Sequence, residues 1–403
     1  TKKNGKAPTG KIDSFGGLTK DELMNALRLM FLSRSIDNKV YNLLKQGKAF
    51  FHIAGSGHEA TQVAFGLNMK KGLDWGFPYY RDMAFSLAVG VKPDEVFLHM
   101  LGKANDPMCG GRQMPCHWTS KEFNIPTQSS PTGTQYLQAV GAALAARKKG
   151  EDAVVYVSSG EGATSEGEFH EAVNWAAREK LPVIFVIQNN KWAISVPVEH
   201  QTAGKNASVC EMMKGYENLL RMEVDGTDFL EMNATAKSAF KYARQGKGPV
   251  LIEAHVVRLL SHSSSDDQKK YRSQEQLEED LKKDPIELFS KLLIKKGVLT
   301  ELAYAEFKKE ILNHVNEAAD WALTQEEPKA ETAEKFVLDE SGKRERLQYE
   351  KTEPAGKPIV LVDAINHALR EEMERNDKIY VFGEDVADGK GGVFTATKGL
   401  STK

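Results

Sequence analysis

Continuously apolar, strand-length segments separated by helical ones constrain the fold most. Residues 153–157 and 181–187 are such segments, and between them apolar residues recur at helical spacing. A later segment at 250–256 is also largely apolar. Strands without polar alternation are buried on both faces, which is typical of parallel sheets covered by helices. The sequence therefore predicts an α/β fold, with a parallel sheet and helices on both of its faces.

Periodicity and capping residues also predict individual helices. Residues 18–45 and most of residues 273–323 have helical periodicity. Ser165 and Glu168 have capping-box spacing, in which each side chain accepts a free backbone N–H at the start of a helix. A helix is therefore expected to open directly after Ser165.

Composition divides the chain into two domains joined by a linker. Residues 1–325 form the first predicted domain, and residues 326–357 are charged, contain prolines and lack periodicity, so they are predicted to be the linker. Residues 358–403 begin a second α/β domain, with a helix through Met373 and a strand at 378–382. This last part is too short for a sizeable core of its own and is predicted to be incomplete.

Charge and cysteine usage narrow the class of protein. Lys and Arg number 54 against 56 Asp and Glu, so the basic excess of a nucleic-acid binder is missing. No apolar run approaches the roughly 20 residues of a membrane helix. Three cysteines, Cys109, Cys116 and Cys210, cannot build a disulfide framework and have no zinc-site spacing. We expect no nucleic-acid or membrane partner and a reducing, cytoplasmic location.

Polar residues follow two of the predicted strands. Gly160, Glu161 and Gly162 come after the first strand, and Asn189 and Asn190 end the next. Ligands of parallel sheets bind at the carboxyl ends of the strands. Glycines allow close approach of a phosphate, and carboxylate and amide oxygens suit Mg2+. The pattern predicts a site for a metal-bound diphosphate at this edge of the sheet.

This pattern resembles the thiamin diphosphate motif, and the surrounding residues resemble the α subunit of E1 components of 2-oxo acid dehydrogenase complexes, more the branched-chain than the pyruvate type. The matching stretches are Tyr-Tyr-Arg-Asp at 79–82, Gly-Arg-Gln-Met-Pro-Cys-His at 111–117, Ser-Ser-Pro-Thr-Gly-Thr-Gln at 129–135, Gly-Glu-Gly-Ala-Thr-Ser-Glu-Gly at 160–167, Asn-Asn-Lys-Trp-Ala-Ile-Ser at 189–195 and His-Ser-Ser-Ser-Asp-Asp at 262–267. Residues 359–400 resemble the start of the E1 β subunit, through Gly-Glu-Asp-Val at 383–386 and Gly-Gly-Val-Phe at 391–394. The resemblance implies a fused α–β chain.

The resemblance implies a thiamin diphosphate-binding fold and oxidative decarboxylation of a 2-oxo acid. The acyl group would be transferred to the lipoyl group of an E2 acyltransferase. The resemblance also implies a homo-oligomer, namely a dimer of fused chains. Pyruvate or acetoin is the alternative substrate. Two further alternatives remain: a non-oxidative thiamin enzyme, which would turn over without a lipoyl acceptor, and an inactive E2-docking scaffold, which would not bind the cofactor.

The resemblance also assigns roles to individual residues. His262 is the implied active-site histidine, expected to titrate near neutrality and to assist proton transfers. The implied Mg2+ ligands are Glu161, Asn190 and the carbonyl of Trp192. Other implied cofactor-binding residues are Tyr80 and Arg81 at the diphosphate, Ser130 and Thr132 beside the two rings, Gly160, Gly162 and Ala163 along the backbone, and Arg258 near His262. Thr132 stands where Leu or Ile is common, and Gln188 where branched-chain members carry an Arg.

Further roles follow from the same resemblance. Glu168, Glu171 and Glu384 match carboxylates that line a tunnel between two active sites, and are assigned a catalytic role; the first two would also suit a helix N-terminus as plain dipole partners. A monovalent-cation site, for K+, is implied at Ser129, Pro131, Thr134 and Gln135. Ser263, Ser264 and Ser265 match a loop that is phosphorylated in some members, or form a polar active-site loop.

The resemblance implies one group that residues 1–403 do not supply. In the family, a carboxylate of the β part hydrogen-bonds the aminopyrimidine, and Glu384 lies at a different motif position. We therefore expect residues 1–403 to be part of a longer chain. By themselves they should bind diphosphate and metal weakly and decarboxylate little.

Overall fold

The computed structural model describes residues 15–338, 356–383, 386–388 and 390–402. The chain divides into two compact units, Thr1–Glu334 and Lys335–Lys403.

A five-stranded parallel sheet forms the centre of the first unit. In spatial order its strands are β1 (Trp75–Phe77), β2 (Val155–Gly160), β3 (Val183–Asn189), β7 (Val250–His255) and β6 (Leu220–Asp225). The remaining strands, β4 (Trp192–Ala193) and β5 (Val196–Pro197), form a short antiparallel hairpin directly after β3. The strands predicted at 153–157, 181–187 and 250–256 correspond to β2, β3 and β7.

The helices of this unit are α1 (Lys20–Lys45), α2 (Glu59–Asn68), α3 (Met83–Val89), α4 (Pro93–Met100), α5 (Thr134–Lys148), α6 (Gly167–Glu179), α7 (Val209–Met212), α8 (Phe229–Arg244), α9 (Gln274–Leu281), α10 (Pro285–Lys295) and α11 (Glu301–Leu323).

Each central strand contributes buried side chains to two separate cores. Tyr156 and Ile184 face a core built with α1, α2, α3 and α8. Val157 and Phe185 face the opposite core, built mainly with α5 and α6. Alternate residues of a strand point to opposite faces, so an uninterrupted apolar strand buries both. The predicted α/β fold, a parallel sheet with helices on both faces, is confirmed.

Two helix starts show what local pattern can and cannot predict. The helix predicted at 18–45 is α1, and Thr19 and Glu22 form its capping box. The capping box predicted at Ser165 and Glu168 is wrong: no side chain caps α6, which begins at Gly167 after extended Glu166. The tight turn required after β2 is a 3-10 turn over Glu161–Ser165. That turn ends at Ser165, which therefore lies one residue before the true cap.

The start of the predicted linker contacts the loop that follows α4. The backbone N–H of Ala104 donates to the carbonyl of Glu326 at 3.0 Å, and Arg112 Nε donates to the carbonyl of Thr332 at 3.1 Å. The domain boundaries predicted from composition stay a prediction, since much of the linker lies outside the described residues.

The second unit contains α12 (Leu361–Arg375), which corresponds to the helix predicted through Met373. Asn366 of α12 donates to the carbonyls of Ala396 and Lys398, both at 3.0 Å. The strand predicted at 378–382 is wrong, because these residues are not in a strand. A strand needs a neighbouring backbone to pair with, and the described residues of this unit provide none. Among the described residues, no helix combines the length and apolar character needed to cross a membrane.

Asp74 joins the start of the sheet to α8. Its fully buried carboxylate accepts the backbone N–H of Val154 at 2.9 Å and two hydrogen bonds from Arg244, at 2.9 and 2.7 Å. Both contacts come from Arg244 Nη2, which places the guanidinium charge directly against the carboxylate and strengthens these hydrogen bonds.

Arg244→Met should lower the free energy of unfolding by about 3 kcal/mol, because it leaves a buried carboxylate without its counter-charge. Urea denaturation measures this. The control is Lys70→Met, which removes a half-exposed contact to Asp152 at 3.1 Å and should change stability by less than about 0.5 kcal/mol. Equal effects of the two substitutions would contradict the anchoring role of Asp74.

Candidate active site

A cavity of about 230 Å³ lies at the carboxyl ends of β2 and β3, and is called the strand-end cavity below. The parallel register pairs Gly160 with Gln188, so both strands end at the same edge of the sheet. Most of the predicted cofactor and metal residues line it together: Tyr80, Arg81, Thr132, Gly160, Glu161, Gly162, Ala163, Asn190, Trp192 and His262. Tyr79, Ala193 and Ile194 complete the lining.

Glu161 provides a buried carboxylate with unused binding capacity. Its Oε2 accepts the backbone N–H of Asn190 at 3.2 Å, whereas its buried Oε1 has no hydrogen-bond partner. Burial raises the pKa of Glu161 to about 7, although backbone N–H groups and nearby arginines favour the carboxylate. An unpartnered buried carboxylate oxygen is a suitable ligand for a cation, so Glu161 fits the implied metal.

Asn190 presents its side chain beside this carboxylate. Its Oδ1 accepts the backbone N–H of Trp192 at 3.1 Å, and its Nδ2 donates to His58 Nε2 at 3.5 Å. The amide oxygen therefore points back towards the loop that carries the Trp192 carbonyl. The oxygen types available at Glu161, Asn190 and Trp192 are those that Mg2+ prefers.

Gly162 allows the turn after β2 to approach the loop after β3. A Cβ atom placed on Gly162 would lie 2.6 Å from the Cβ of Ala193, which is closer than side chains tolerate. Gly160, by comparison, has its nearest neighbour 4.0 Å away, at Tyr79 Cε2. At Gly162, then, the structure gives a packing reason for glycine, where the sequence suggested phosphate approach.

Arg81 supplies positive charge to the wall of the cavity. It is buried, and its hydrogen bonds go to neutral acceptors: Nη1 donates to the Ala54 carbonyl at 2.8 Å, and Nη2 donates to the carbonyl and Nδ1 of His262 at 3.0 and 2.9 Å. A buried guanidinium with neutral partners attracts an anion.

His262 is held neutral by its surroundings. Its Nδ1 accepts from Arg81, which leaves the ring proton on Nε2. Burial, Arg81 and Arg258 together lower the pKa of His262 to about 3. The expectation that this histidine titrates near neutrality is therefore wrong for this arrangement of side chains. Two adjacent guanidinium groups, which a sequence does not reveal, cause the difference.

Arg258 lies behind the cavity and does not line it. Its Nη1 donates to the Ile194 carbonyl at 3.0 Å and its Nη2 donates to the Tyr271 hydroxyl at 2.8 Å. Its buried Nε has no hydrogen-bond partner. Arg258 thus holds the loop that follows β3, and its predicted contact with cofactor stays a prediction.

A second cavity of about 280 Å³, called the adjoining cavity, shares the walls Tyr79, Tyr80 and Thr132 with the first. Ser130 lines this second cavity and not the first, with its Oγ 2.8 Å from His117 Nε2. Apolar side chains contribute much of the remaining wall: Phe51, Ile53, Met114 and Pro115.

Other predicted residues lie away from both cavities. Glu168 and Glu171 lie in the first turns of α6 and line neither cavity, and Glu384 lies outside the described residues. Their tunnel role stays a prediction.

The predicted K+ loop makes its own hydrogen bonds. Gln135 accepts the Gly133 N–H at 3.1 Å and donates to the Ser158 carbonyl at 3.0 Å, and Thr134 donates to the Pro131 carbonyl at 3.0 Å. Ser129 lines the adjoining cavity. A cation at this loop stays a prediction.

Beneath the strand-end cavity lies a buried polar network that the sequence analysis missed. Asp82 accepts hydrogen bonds from Gln188 Nε2 at 2.6 Å and from the Tyr156 hydroxyl at 3.2 Å. Gln188 Oε1 in turn accepts from His58 Nδ1 at 2.9 Å and Gln62 Nε2 at 3.0 Å. Burial raises the pKa of Asp82 to about 6. The sequence contained one signal for this role of Asp82, namely its position directly after Arg81 and directly before a helix.

Comparison with known proteins agrees with this geometry. A family model described as "Dehydrogenase E1 component" matches residues 27–331. The 2-oxoisovalerate dehydrogenase subunit alpha of Bacillus subtilis (strain 168) is 42% identical over 306 residues, which is 76% of this chain and 92% of that protein. The 3-methyl-2-oxobutanoate dehydrogenase subunit alpha of Mycobacterium tuberculosis (strain CDC 1551 / Oshkosh) is 37% identical over 294 residues, 73% and 76% of the two chains. The pyruvate dehydrogenase E1 component subunit alpha of Bacillus subtilis (strain 168) is 32% identical over 334 residues, 83% and 86%.

Glu161→Gln should change how stability depends on pH. The pKa of Glu161 is about 7 in the folded protein against an ordinary value of 4.5, so the folded state holds the proton more tightly. The protonated carboxyl therefore contributes about 3 kcal/mol to the free energy of unfolding. This contribution is fully present below about pH 4.5 and is lost as the pH rises to about 7. Without metal, the Gln variant should therefore gain stability relative to the parent across this range.

Urea denaturation at several pH values measures the difference, with and without Mg2+. Added Mg2+ should stabilise the parent at pH 8 and leave the Gln variant unchanged, because only the carboxylate binds the ion strongly. If the parent and the Gln variant depend on pH in the same way and respond equally to Mg2+, the assignment of Glu161 as a metal ligand is contradicted.

Proposed function

Because the chain belongs to the dehydrogenase E1 component family, we propose that it catalyses thiamin diphosphate-dependent oxidative decarboxylation of a 2-oxo acid. The acyl group would pass to the lipoyl group of an E2 acyltransferase. When bound, thiamin diphosphate supplies the carbon nucleophile and the electron sink for decarboxylation. The protein's part is to bind and orient, to exclude water and to move protons.

This proposal rests on a carboxylate and a guanidinium that line the same cavity and whose hydrogen bonds go to other groups. Glu161 Oε1 is unpartnered, and the hydrogen bonds of Arg81 go to neutral groups. Opposite charges left apart in a buried cavity suit a ligand that itself carries both signs, such as a divalent cation with a diphosphate. Glu161, Asn190 and the Trp192 carbonyl would hold Mg2+, and Tyr80 and Arg81 would contact the diphosphate.

We assign the proton-handling role to His262. Beside Arg81 and Arg258, its Nε2 carries the ring proton and the imidazole is neutral. A bound diphosphate would offset the positive charge of Arg81 and so raise the pKa of His262 towards neutrality. The histidine would therefore become an effective acid or base only once the cofactor is in place.

A branched-chain 2-oxo acid is the favoured substrate, and pyruvate or acetoin is the alternative. The identity to the Bacillus subtilis 2-oxoisovalerate enzyme is 42%, against 32% to the pyruvate enzyme of the same organism. The apolar residues Phe51, Ile53 and Met114 of the adjoining cavity would also suit an aliphatic side chain.

We further propose that residues 358–403 are the start of an E1 β-like part and that the working enzyme is a dimer. Leu361 and Ile365 on α12 are 78% and 43% exposed, which supports a covering partner. The mass of the polypeptide in cell extract tests the fusion, since a single band at 44.7 kDa would contradict it.

Calorimetric titration with thiamin diphosphate and Mg2+ tests the proposed function, followed by a panel of 2-oxo acids with an artificial electron acceptor. With the longer, fused chain we expect binding, and turnover of 2-oxoisovalerate above pyruvate, whereas residues 1–403 by themselves should bind weakly and turn over little. Glu161→Gln should weaken binding by at least about tenfold, the value of one charge-assisted contact. The matched control is Glu166→Gln, an exposed carboxylate in the same loop, which should bind as the parent does. Failure of the parent to bind would favour the docking scaffold instead.

His262→Gln should separate binding from acyl transfer. Cofactor affinity should stay within a few-fold, whereas the rate of transfer to a lipoyl domain should fall by about 10²-fold, as is usual for a lost acid–base group. His170→Gln is the control, because His170 lies on α6 beside the Phe169 ring, outside both cavities. Equal losses of decarboxylation and of acyl transfer would refute a role specific to the transfer step.

A further inference from the structure

Cys116, His52 and Asp37 form a buried constellation at the wall of the adjoining cavity. His52 Nε2 lies 2.8 Å from Asp37 Oδ1, and His52 Nδ1 lies 3.9 Å from Cys116 Sγ. Ser56 Oγ donates to the other oxygen of Asp37 at 2.9 Å. Cys116, His52 and Asp37 are each at most 1% exposed, and Cys116 lines the cavity.

This arrangement places a base against a thiol and a carboxylate behind the base. The contact with Asp37 fixes a proton on Nε2 of His52, so Nδ1 is the nitrogen that faces the sulfur. That is the order of groups by which proteins activate a nucleophile, and the contact between nucleophile and base is often longer before a reactant binds. Burial lowers the pKa of His52, but the hydrogen bonds with Asp37 and Cys116 outweigh it and raise this pKa to about 9. The proton shared by Nδ1 and the sulfur is therefore held within 3.9 Å of the reacting atom.

The other two cysteines lie near carboxylates. Burial, Glu253 and Glu223 raise the pKa of Cys210 to about 12. Cys109 Sγ lies 3.1 Å from Asp106 Oδ2 and donates to this carboxylate.

A histidine also lies beside Cys109, but it is not placed to activate the thiol. The Nε2 of His99 accepts the backbone N–H of His117 at 3.1 Å, which places a ring proton on Nδ1, 3.1 Å from Asp106 Oδ2 and 3.7 Å from Cys109 Sγ. Cys109 and Cys116 thus each have a histidine Nδ1 near the sulfur, at 3.7 and 3.9 Å, but the sulfur of Cys109 also lies against the Asp106 carboxylate.

The position of Cys116 gives its sulfur a route to small molecules. It lines the adjoining cavity together with Ser130 and Thr132. Its φ of 69° is in the left-handed region, which residues with a Cβ seldom adopt, so the loop holds this side chain in an unusual orientation. Any group added to the sulfur would occupy space next to the strand-end cavity.

We propose that Cys116 is a reactive thiol and a site of covalent modification by hydroperoxides, activated by His52 and Asp37. The thiolate sulfur attacks one peroxide oxygen; an S–O bond forms while the O–O bond breaks. The sulfur is oxidised to a sulfenic acid and the peroxide is reduced. The departing oxygen takes the proton from His52 and leaves as water or an alcohol. The added oxygen narrows the adjoining cavity.

Labelling of the intact, folded chain tests the reactivity without any turnover assay, so its outcome is independent of the proposed function. Limiting iodoacetamide at neutral pH forms a C–S bond and releases iodide. Trypsin cleavage after Arg112 separates Cys109 from Cys116. Mass spectrometry should show Cys116 labelled at least about tenfold faster than Cys109 or Cys210. Hydrogen peroxide with dimedone should then trap a sulfenic acid at Cys116.

Two matched variants assign the cause. His52→Gln should slow labelling of Cys116 about tenfold or more and leave Cys109 unchanged, whereas His99→Gln should leave Cys116 unchanged. Circular dichroism checks that each variant is folded. The ranking of the three thiols in the parent decides the proposal even if His52→Gln does not fold. Labelling of Cys109 as fast as Cys116, or a folded His52→Gln chain with undiminished Cys116 labelling, overturns it.

Discussion

Parallel pairing of β2 with β3 is the constraint on which the candidate site depends. Because Gly160 lies opposite Gln188, the chain leaves both strands at one edge of the sheet, and the Asn190 N–H reaches the Glu161 carboxylate at 3.2 Å. A shift of one residue in this register would turn the side chains of one strand to the opposite face. The site therefore depends on two apolar cores that hold the strands in place, one on each side of the sheet.

The polar layer beneath the cavity shows how such a site is kept rigid. Asp82, Gln188 and His58 are fully buried, and each is hydrogen-bonded to another member of the layer. Buried polar groups destabilise a fold unless they are satisfied, and a satisfied network specifies a single arrangement. Gln188 is central to this layer, because it donates to Asp82 and accepts from His58 and Gln62.

The sequence allowed prediction of the sheet and of most residues around the strand-end cavity, because apolar strands and the residues at their ends are local signals. It failed where distant groups decide the outcome. The neutrality of His262 follows from Arg81, far away in the chain, and the start of α6 follows from a turn that the end of β2 imposes. The strand expected at 378–382 failed for a related reason: strand propensity needs a partner that local sequence cannot supply.

Gly162 has a consequence for how this protein can diverge. A side chain at position 162 would need space that Ala193 already fills, since its Cβ would lie only 2.6 Å from the Ala193 Cβ, so the two loops are sterically interlocked. A bulkier residue on either loop would push both apart and move Glu161 away from Asn190. Substitutions at these two positions should therefore be accepted only in compensating pairs, so that loops from separate crossover units evolve as one element.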